Sequence, residues 1–406
     1  CASSGSISLG LAEEATCTIT NNDSNSTRLS LSKNLNNYYG GTATGASWTL
    51  TATGPGAFSG TGPFVTSGPG LLPGTYNLSE SGPVGYAASA WTCSGGTQVD
   101  TDTVIVALGQ TVLCNITNSD IAPELTVINT VINDNGGTAA PNAFGLKVDG
   151  NSVTSNAPVA LISGNHSASA AGLTGYQQST WGGDCQADGS ISLAPGEQAT
   201  CTISHNDIAP TLKAVKYLVN DNGGIVTNPN AFGLRIDGSG VQHDTVNTVD
   251  AGNHTISEDG LSGYIPGAWT PPCNPDGSIT LALGQNASCS ITNDDTNSTS
   301  LTLVKQVIND NGGTAQGSAW ILTATGLTGF SGSGPIISNG PNFSAGTYDL
   351  SESAGPTGYD ASNWVCVGGT QVDDDTITLA LGQAATCTIT NDDIDNTSLN
   401  LIKQVT

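Results

Sequence analysis

The chain has 406 residues, 37% hydrophobic and only 10% charged, with 8 Lys+Arg against 33 Asp+Glu and a formal net charge of −25. Such an acid excess argues against nucleic acid or an anionic membrane surface as partner. No apolar run approaches the roughly 18 residues of a membrane span. At roughly 150 residues per domain two or three domains are expected, and the absence of any Met, even at position 1, points to a processed chain or a window on a longer one.

In chain order the ten cysteines fall as Cys1/Cys17, Cys93/Cys114, Cys185/Cys201, Cys273/Cys289 and Cys366/Cys387, five pairs separated by 16 or 21 residues. Zinc would require C-x-x-C or His-containing spacings, which do not occur. Five local disulfides are expected, and with them an oxidising, extracytoplasmic compartment.

The second cysteine of each pair opens a repeated closing motif, as in Ala15-Thr-Cys-Thr-Ile-Thr-Asn21 and Ala385-Thr-Cys-Thr-Ile-Thr-Asn391. An acidic linker and a new apolar-alternating strand follow each time. The motif divides the chain into the last hairpin of a truncated repeat (1–24), four whole repeats (25–120, 121–208, 209–295, 296–394) and the first strand of a following repeat (395–406). Inside each whole repeat, short strands are separated by Gly, Pro and Asn turns without useful helical periodicity. The expected fold is all-β, a tandem array of antiparallel Ig-like β-sandwiches, each with one local disulfide. The Trp before each first cysteine (Trp91, Trp181, Trp269, Trp364) reads as a core aromatic packed on that disulfide. Pro123 and Pro210 in the linkers should restrict bending.

The first strands hold an anomaly. In Leu301-Thr-Leu-Val-Lys-Gln-Val307 the alternation puts Lys305 on the buried face. Lys33, Lys216 and Lys403 occupy the same register, four of the six lysines in the chain. On the last strand Asn391 follows Cys387 and Ile389 inward, as do Asn21, Asn118 and Asn293. A third strand, Gly346-Thr-Tyr-Asp-Leu-Ser-Glu352, turns Glu352 inward, and Glu80 and Glu258 match it. Repeat 121–208 departs at all three positions together, with Asn129, Ala170 and His205.

Buried together, such groups change their chemistry. Desolvation lowers a lysine pKa and raises that of a carboxylic acid. A neutral amine is then a nucleophile toward an Asn amide whose carbonyl the acid polarises. Attack with loss of ammonia would leave a Lys–Asn isopeptide; a hydrogen-bonded Lys–Glu–Asn cluster is the unreacted alternative.

The run Gly346-Thr-Tyr-Asp-Leu-Ser-Glu-Ser with Gly358-Tyr359, a first-strand Lys and a last-strand Asn resembles the prealbumin-like, collagen-adhesin B-type domains of bacterial surface adhesins and pilins. The resemblance implies a prealbumin-like sandwich and intramolecular isopeptides in the sets Lys33/Glu80/Asn118, Lys216/Glu258/Asn293 and Lys305/Glu352/Asn391, with partners for Asn21 and Lys403 outside the chain. A disulfide in every repeat is not usual in that family.

The loop Asn309-Asp-Asn-Gly-Gly313, repeated at 133–137 and 220–224, reads as a tight hairpin turn. Calcium is the one ion it could concern; otherwise no cofactor and no metal site are expected, since EF-hand spacing is missing. No nucleophilic triad remains once the cysteines are paired, so no turnover enzyme is expected. The function expected is an extracellular, mechanically resistant stalk or filament on the cell surface, its partners being neighbouring copies or further repeats, with neither nucleic acid nor membrane insertion. The alternative is an adhesin repeat region gripping a surface glycan or host protein, which the aromatic content of 5% disfavours for sugars.

Overall fold

A computed structural model describes residues 4–21, 26–395 and 399–404. They form two compact units. The first holds the described residues up to Ile132 with Ala139–Leu173 and Gln177–Asn206; the second holds Asn133–Thr138, Thr174–Tyr176 and the described residues from Asp207 onward. Four separate hydrophobic cores lie within them, one in each predicted whole repeat.

Each repeat is a two-sheet sandwich. In the first, one sheet runs Phe64–Thr66, Arg28–Asn36, Thr111–Asp120, Tyr86–Ala88, with Thr92–Ser94 also on the last strand. The facing sheet runs Phe58–Thr61, Thr49–Thr53, Gly74–Ser81, Thr103–Val106, Thr97–Gln98. The fourth repeat reproduces this order, whereas in the second and third the facing sheet has four strands. Repeats 121–208 and 209–295 are therefore a smaller variant of the same sandwich.

One strand pair is not antiparallel. The first strand lies parallel to the last along nine residues, Arg28 opposite Thr111 through Asn36 opposite Ser119, and the other three repeats copy this register. A parallel pair needs a long crossover; here the whole remainder of the repeat supplies it. The last strand thus becomes the axis of the sandwich. Its inward face carries Cys, Ile, Asn or His, and Asp at alternate positions: Cys114, Ile116, Asn118 and Asp120 in the first repeat, all buried.

Four of the expected disulfides are present with both partners described, Cys93–Cys114, Cys185–Cys201, Cys273–Cys289 and Cys366–Cys387. Trp91, Trp181, Trp269 and Trp364 are buried in the cores beside these bridges. Each bridge closes a short loop, which on a chain-entropy account restricts the unfolded state by about 3 kcal/mol.

Of three expectations, one lies partly outside the described residues and two need correction. The first concerns Cys17. It is disulfide-bonded, but its expected partner Cys1 lies outside the described residues, so the Cys1–Cys17 pairing has no described geometry. Nor is Cys17 set like its counterparts: Cys114, Cys201, Cys289 and Cys387 are fully buried on last strands, whereas Cys17 is exposed and lies on no strand. Among the described residues no sandwich core stands beside this segment to cover Cys17.

The second concerns the two chain ends. Residues 4–21 and 399–404 form neither the hairpin nor the strand expected of 1–24 and 395–406, and Ile19, Asn21, Leu401 and Lys403 are exposed. A strand is marginal without a ladder partner and a covered face, and the described residues offer these segments neither. The third concerns the Asn-Asp-Asn-Gly-Gly loops, which are not hairpin turns. The strands flanking 309–313, Ser300–Ile308 and Ile321–Thr325, belong to different sheets.

Candidate crosslink site

The parallel pairing fixes where the three candidate groups meet. Lys216 sits opposite Ile291, so Asn293 is two residues further along the neighbouring strand on the same inward face. Lys33 with Asn118, and Lys305 with Asn391, repeat the offset. All six are at most 4% exposed. The acid comes from the facing sheet, on Gly74–Ser81, Gly252–Glu258 and Gly346–Glu352. Asn21 and Lys403, exposed at the two ends of the chain, join none of these clusters.

The third repeat shows the complete arrangement. Lys216 Nζ donates to Glu258 Oε2 at 2.5 Å, and Asn293 Nδ2 donates to Glu258 Oε1 at 2.7 Å. One carboxylate therefore bridges amine and amide. In the fourth repeat Asn391 Nδ2 donates to Glu352 Oε1 at 2.8 Å, while Lys305 Nζ and Glu352 Oε2 stand 2.7 Å apart without hydrogen-bond geometry. In the first repeat Lys33 Nζ donates to Glu80 Oε2. In all three the Asn Oδ1 is buried with no partner, a state that ordinarily costs about 1–3 kcal/mol.

Burial pushes the Lys33, Lys216 and Lys305 ammonium groups below the ordinary lysine pKa, and the hydrogen bond and charge of the partner glutamate only partly oppose this. Desolvation thus moves each Nζ toward the unprotonated form that nucleophilic attack on the neighbouring strand's amide would require.

A fourth participant escapes a reading of strand periodicity. An aromatic ring covers each amine: Trp48, Phe232 and Trp320 lie 4.6, 4.5 and 4.7 Å from the Nζ of Lys33, Lys216 and Lys305. Each ring follows or ends a short 3-10 turn, Gly45–Ser47, Pro229–Phe232 or Gly317–Ala319. The matching placement of Asn-Ala-Phe-Gly and Ser-Ala-Trp in the sequence was the available signal. The rings wall the site from water, which strengthens every charge interaction inside it.

Repeat 121–208 brings its three variant residues to the same place. His205 Nδ1 and Asn129 Oδ1 are 2.8 Å apart, and Asn129 Nδ2 donates to Pro141 O. Phe144 stacks on the His205 ring at 3.9 Å, and Ala170 packs against the core where the other repeats hold Glu. His205 is fully buried, and burial holds its pKa below the usual imidazole value.

The acidic linker residues also prove to be structural. Asp120 accepts from the backbone N–H of Tyr38, Tyr39 and Gly41, and Asp295 from those of Asp221, Asn222 and Gly224. Asp207 and Asp393 hold their loops alike. Burial alone would raise these last two carboxyls, yet the loop N–H donors outweigh it and leave their pKa lowered. Around this loop Asp221, Asp294 and Asp295, and likewise Asp310, Asp392 and Asp393, have carboxylate oxygens within 4.8 Å of one another.

With the sandwich and the parallel strand pair in place, the class is a tandem array of β-sandwiches, three of which bury a Lys, Glu and Asn together. Comparison with known families matches a prealbumin-like fold domain four times, at residues 24–116, 120–203, 207–291 and 295–389. The chain belongs to that SpaA-type, prealbumin-like family. Similar solved structures include the Bacillus anthracis TIE protein, at 12% identity and a TM-score of 0.44, covering 85% of this chain and 68% of that one. Two B repeat units of the Staphylococcus aureus collagen binding protein match at 13% and 0.19, covering 91% and 100%. The major pilin of Streptococcus pyogenes matches at 15% and 0.23, covering 46% and 99%. No curated protein sequence matches.

Proposed function

We propose that the chain is a structural repeat protein of the cell surface, a semi-rigid stalk or filament segment locked by disulfides and by Lys–Asn isopeptide bonds. The bonds join Lys33 to Asn118, Lys216 to Asn293 and Lys305 to Asn391. The observation carrying this reading is Glu258, one of whose oxygens takes the Lys216 amine while the other takes the Asn293 amide.

The step balances within the cluster. Neutral Nζ attacks Asn Cγ, the Nζ–Cγ bond forms and the Cγ–Nδ2 bond breaks. The proton shed by Nζ passes through the carboxyl group to Nδ2, which leaves as ammonia. No oxidant, metal or cofactor is consumed, and each glutamate acts once, so the chain turns over no substrate.

The placement also suits a load-bearing role. The bond ties the strand where the chain enters a repeat to the strand where it leaves, so residues 34–117, 217–292 and 306–390 drop out of the path of tension. Disulfides in every whole repeat support an extracytoplasmic location. Among the described residues no helix is long and apolar enough to cross a membrane. Intact mass after reduction tests the crosslinks: a value lower than calculated by three ammonia molecules is expected, and the full calculated mass would refute them.

A further inference from the structure

Each repeat folds a loop directly after its first strand, and the last-strand aspartate is what folds it. Two glycines in the loop have different tasks. The second, Gly41 or Gly224, lies so close to the Tyr86 or Tyr264 hydroxyl and to the Asp120 or Asp295 carboxylate that a side chain would collide with them. The first, Gly40 or Gly223, has φ of +80° or +92° and faces outward.

Inside the first unit that outward face is occupied. Ser163 N–H, from the second repeat, donates to Tyr39 O at 2.6 Å, and a Cβ on Gly40 would lie 2.9 Å from Ser163 O. Inside the second unit the fourth repeat does the same to the third: Ala345 N–H donates to Asn222 O at 2.8 Å, and a Cβ on Gly223 would strike Ala345. The segment 133–138, also of the second unit, receives Ala251 N–H on Asn135 O at 2.8 Å. A second glycine completes the seat. Gly85 O and Gly263 O accept from the linker amides of Ile121 and Thr296, and Cβ atoms on these glycines would meet Pro195 and Leu381 of the following repeat.

We infer that this aspartate-folded loop is a docking surface whose partner is another repeat of the same kind, and that it fixes the angle between successive repeats. The incoming donor is the residue just before a glycine that opens the acid strand: Ser163 before Gly164, Ala251 before Gly252, Ala345 before Gly346. The first repeat has Pro73 before Gly74. Proline has no N–H to donate, so this repeat cannot make that bond to anything that precedes it. In the fourth repeat the loop is folded by Asp393 like the others, but among the described residues Cβ atoms on Gly312 and Gly358 would meet nothing within 4 Å. Its seat is open for a repeat bearing a non-proline donor. The inference stands whether or not the isopeptide bonds form.

The test uses the full chain with genetically encoded spin labels at the exposed Thr255 and Asp349, leaving the cysteines paired. A narrow label–label distance distribution is expected, together with a protected Ala345 amide in hydrogen exchange. Asp295→Ala should broaden the distribution and speed Ala345 exchange about fivefold or more, the equivalent of roughly 1 kcal/mol for one net hydrogen bond. Asp393→Ala removes the same carboxylate from a loop with an open seat and should change neither readout. If Asp295→Ala leaves both unchanged, or Asp393→Ala alters them equally, the inference is overturned. Should Asp295→Ala strip protection from Leu212 and Ile291 in the third core, Ala345→Pro decides instead, since Pro73 shows that the sandwich accepts proline there. A distribution as narrow as wild type in Ala345→Pro would then overturn it.

Discussion

Lys216 and Asn293 lie on neighbouring parallel strands, two residues out of register on one buried face, and a single glutamate touches both. The offset follows from making the first and last strands of each repeat neighbours. Any pair of residues at these positions would meet; what distinguishes this pair is that one is an amine and the other an amide held by the same carboxylate.

Glu258→Gln keeps the shape of the bridge but removes its capacity to move a proton. The expected product falls short of its own calculated mass by two ammonia molecules instead of three, with the crosslinks of the first and fourth repeats intact. Losing closure of the Lys216–Asn293 loop should lower the stability of that repeat by about 4–5 kcal/mol on the chain-entropy account. Intact mass and calorimetry measure the two effects; a deficit of three ammonia molecules in Glu258→Gln would remove the glutamate from the reaction.

The lysines give a pH signature when the bond is blocked. In a chain carrying Asn118→Ala, Asn293→Ala and Asn391→Ala, each lysine remains a buried base whose folded pKa lies below its unfolded value of 10.5, chiefly through desolvation. Between those two values the unfolded state binds the extra proton, so stability rises with pH across that window and levels off above 10.5. Denaturant midpoints taken from neutral to alkaline pH check this. A midpoint falling steadily over the same range would contradict it.

Much of this site was legible in the sequence because alternation in a half-buried strand is unambiguous: Lys305 falls between Leu303 and Val307, and Asn391 follows Cys387 and Ile389. The joint change to Asn129, Ala170 and His205 also ties three distant strands together in the sequence itself. What periodicity could not supply was contact across the sandwich. Trp320 reaches Lys305 from a 3-10 turn that has no alternation to read. Asp295 looked like a linker acid because the inward face of the last strand continues two residues beyond Asn293. The closing motif around Cys17 matches that around Cys387 residue for residue, yet burial of Cys387 depends on a core that the motif does not itself carry. The loop 309–313 is no hairpin because Asn-Gly makes one only when the flanking strands pair, and that is a tertiary fact.

Repeat 121–208 should be the mechanical weak point. With disulfides intact, pulling on the full chain should extend this repeat first, apart from the 185–201 loop closed by its bridge. The other three whole repeats should resist until their folds fail without releasing the residues between their crosslinked strands. Single-molecule force extension reads this directly, and equal extension of all four repeats would contradict it.

The same repeat should also be the acid-sensitive one. Burial holds the His205 pKa below its unfolded value of 6.5. Stability is therefore fully present above pH 6.5 and declines as pH falls toward the folded value, because the unfolded state takes the proton first. Hydrogen exchange of Val127 and Ile203 amides at pH 7 and pH 5 should show faster opening at pH 5. His205→Gln should remove that dependence; a persistent one would assign it to another group.

The variant repeat finally permits a gain-of-function test. It retains the parallel strand pair, the offset between Asn129 and His205, and an aromatic cover in Phe144. Ala170 lies one residue past the strand Gly164–Ser169, the sixth residue after Gly164, as Glu258 is after Gly252. Asn129→Lys, Ala170→Glu and His205→Asn together should therefore install a fourth crosslink, read as a fourth lost ammonia and a peptide joining residues 129 and 205. Each single substitution should leave the number of lost ammonia molecules at three, and Asn129→Lys alone should destabilise the repeat by several kcal/mol through an unpaired buried charge. If the triple variant folds but loses only three ammonia molecules, positions alone do not suffice, and the Trp48, Phe232 or Trp320 surroundings must contribute more than cover.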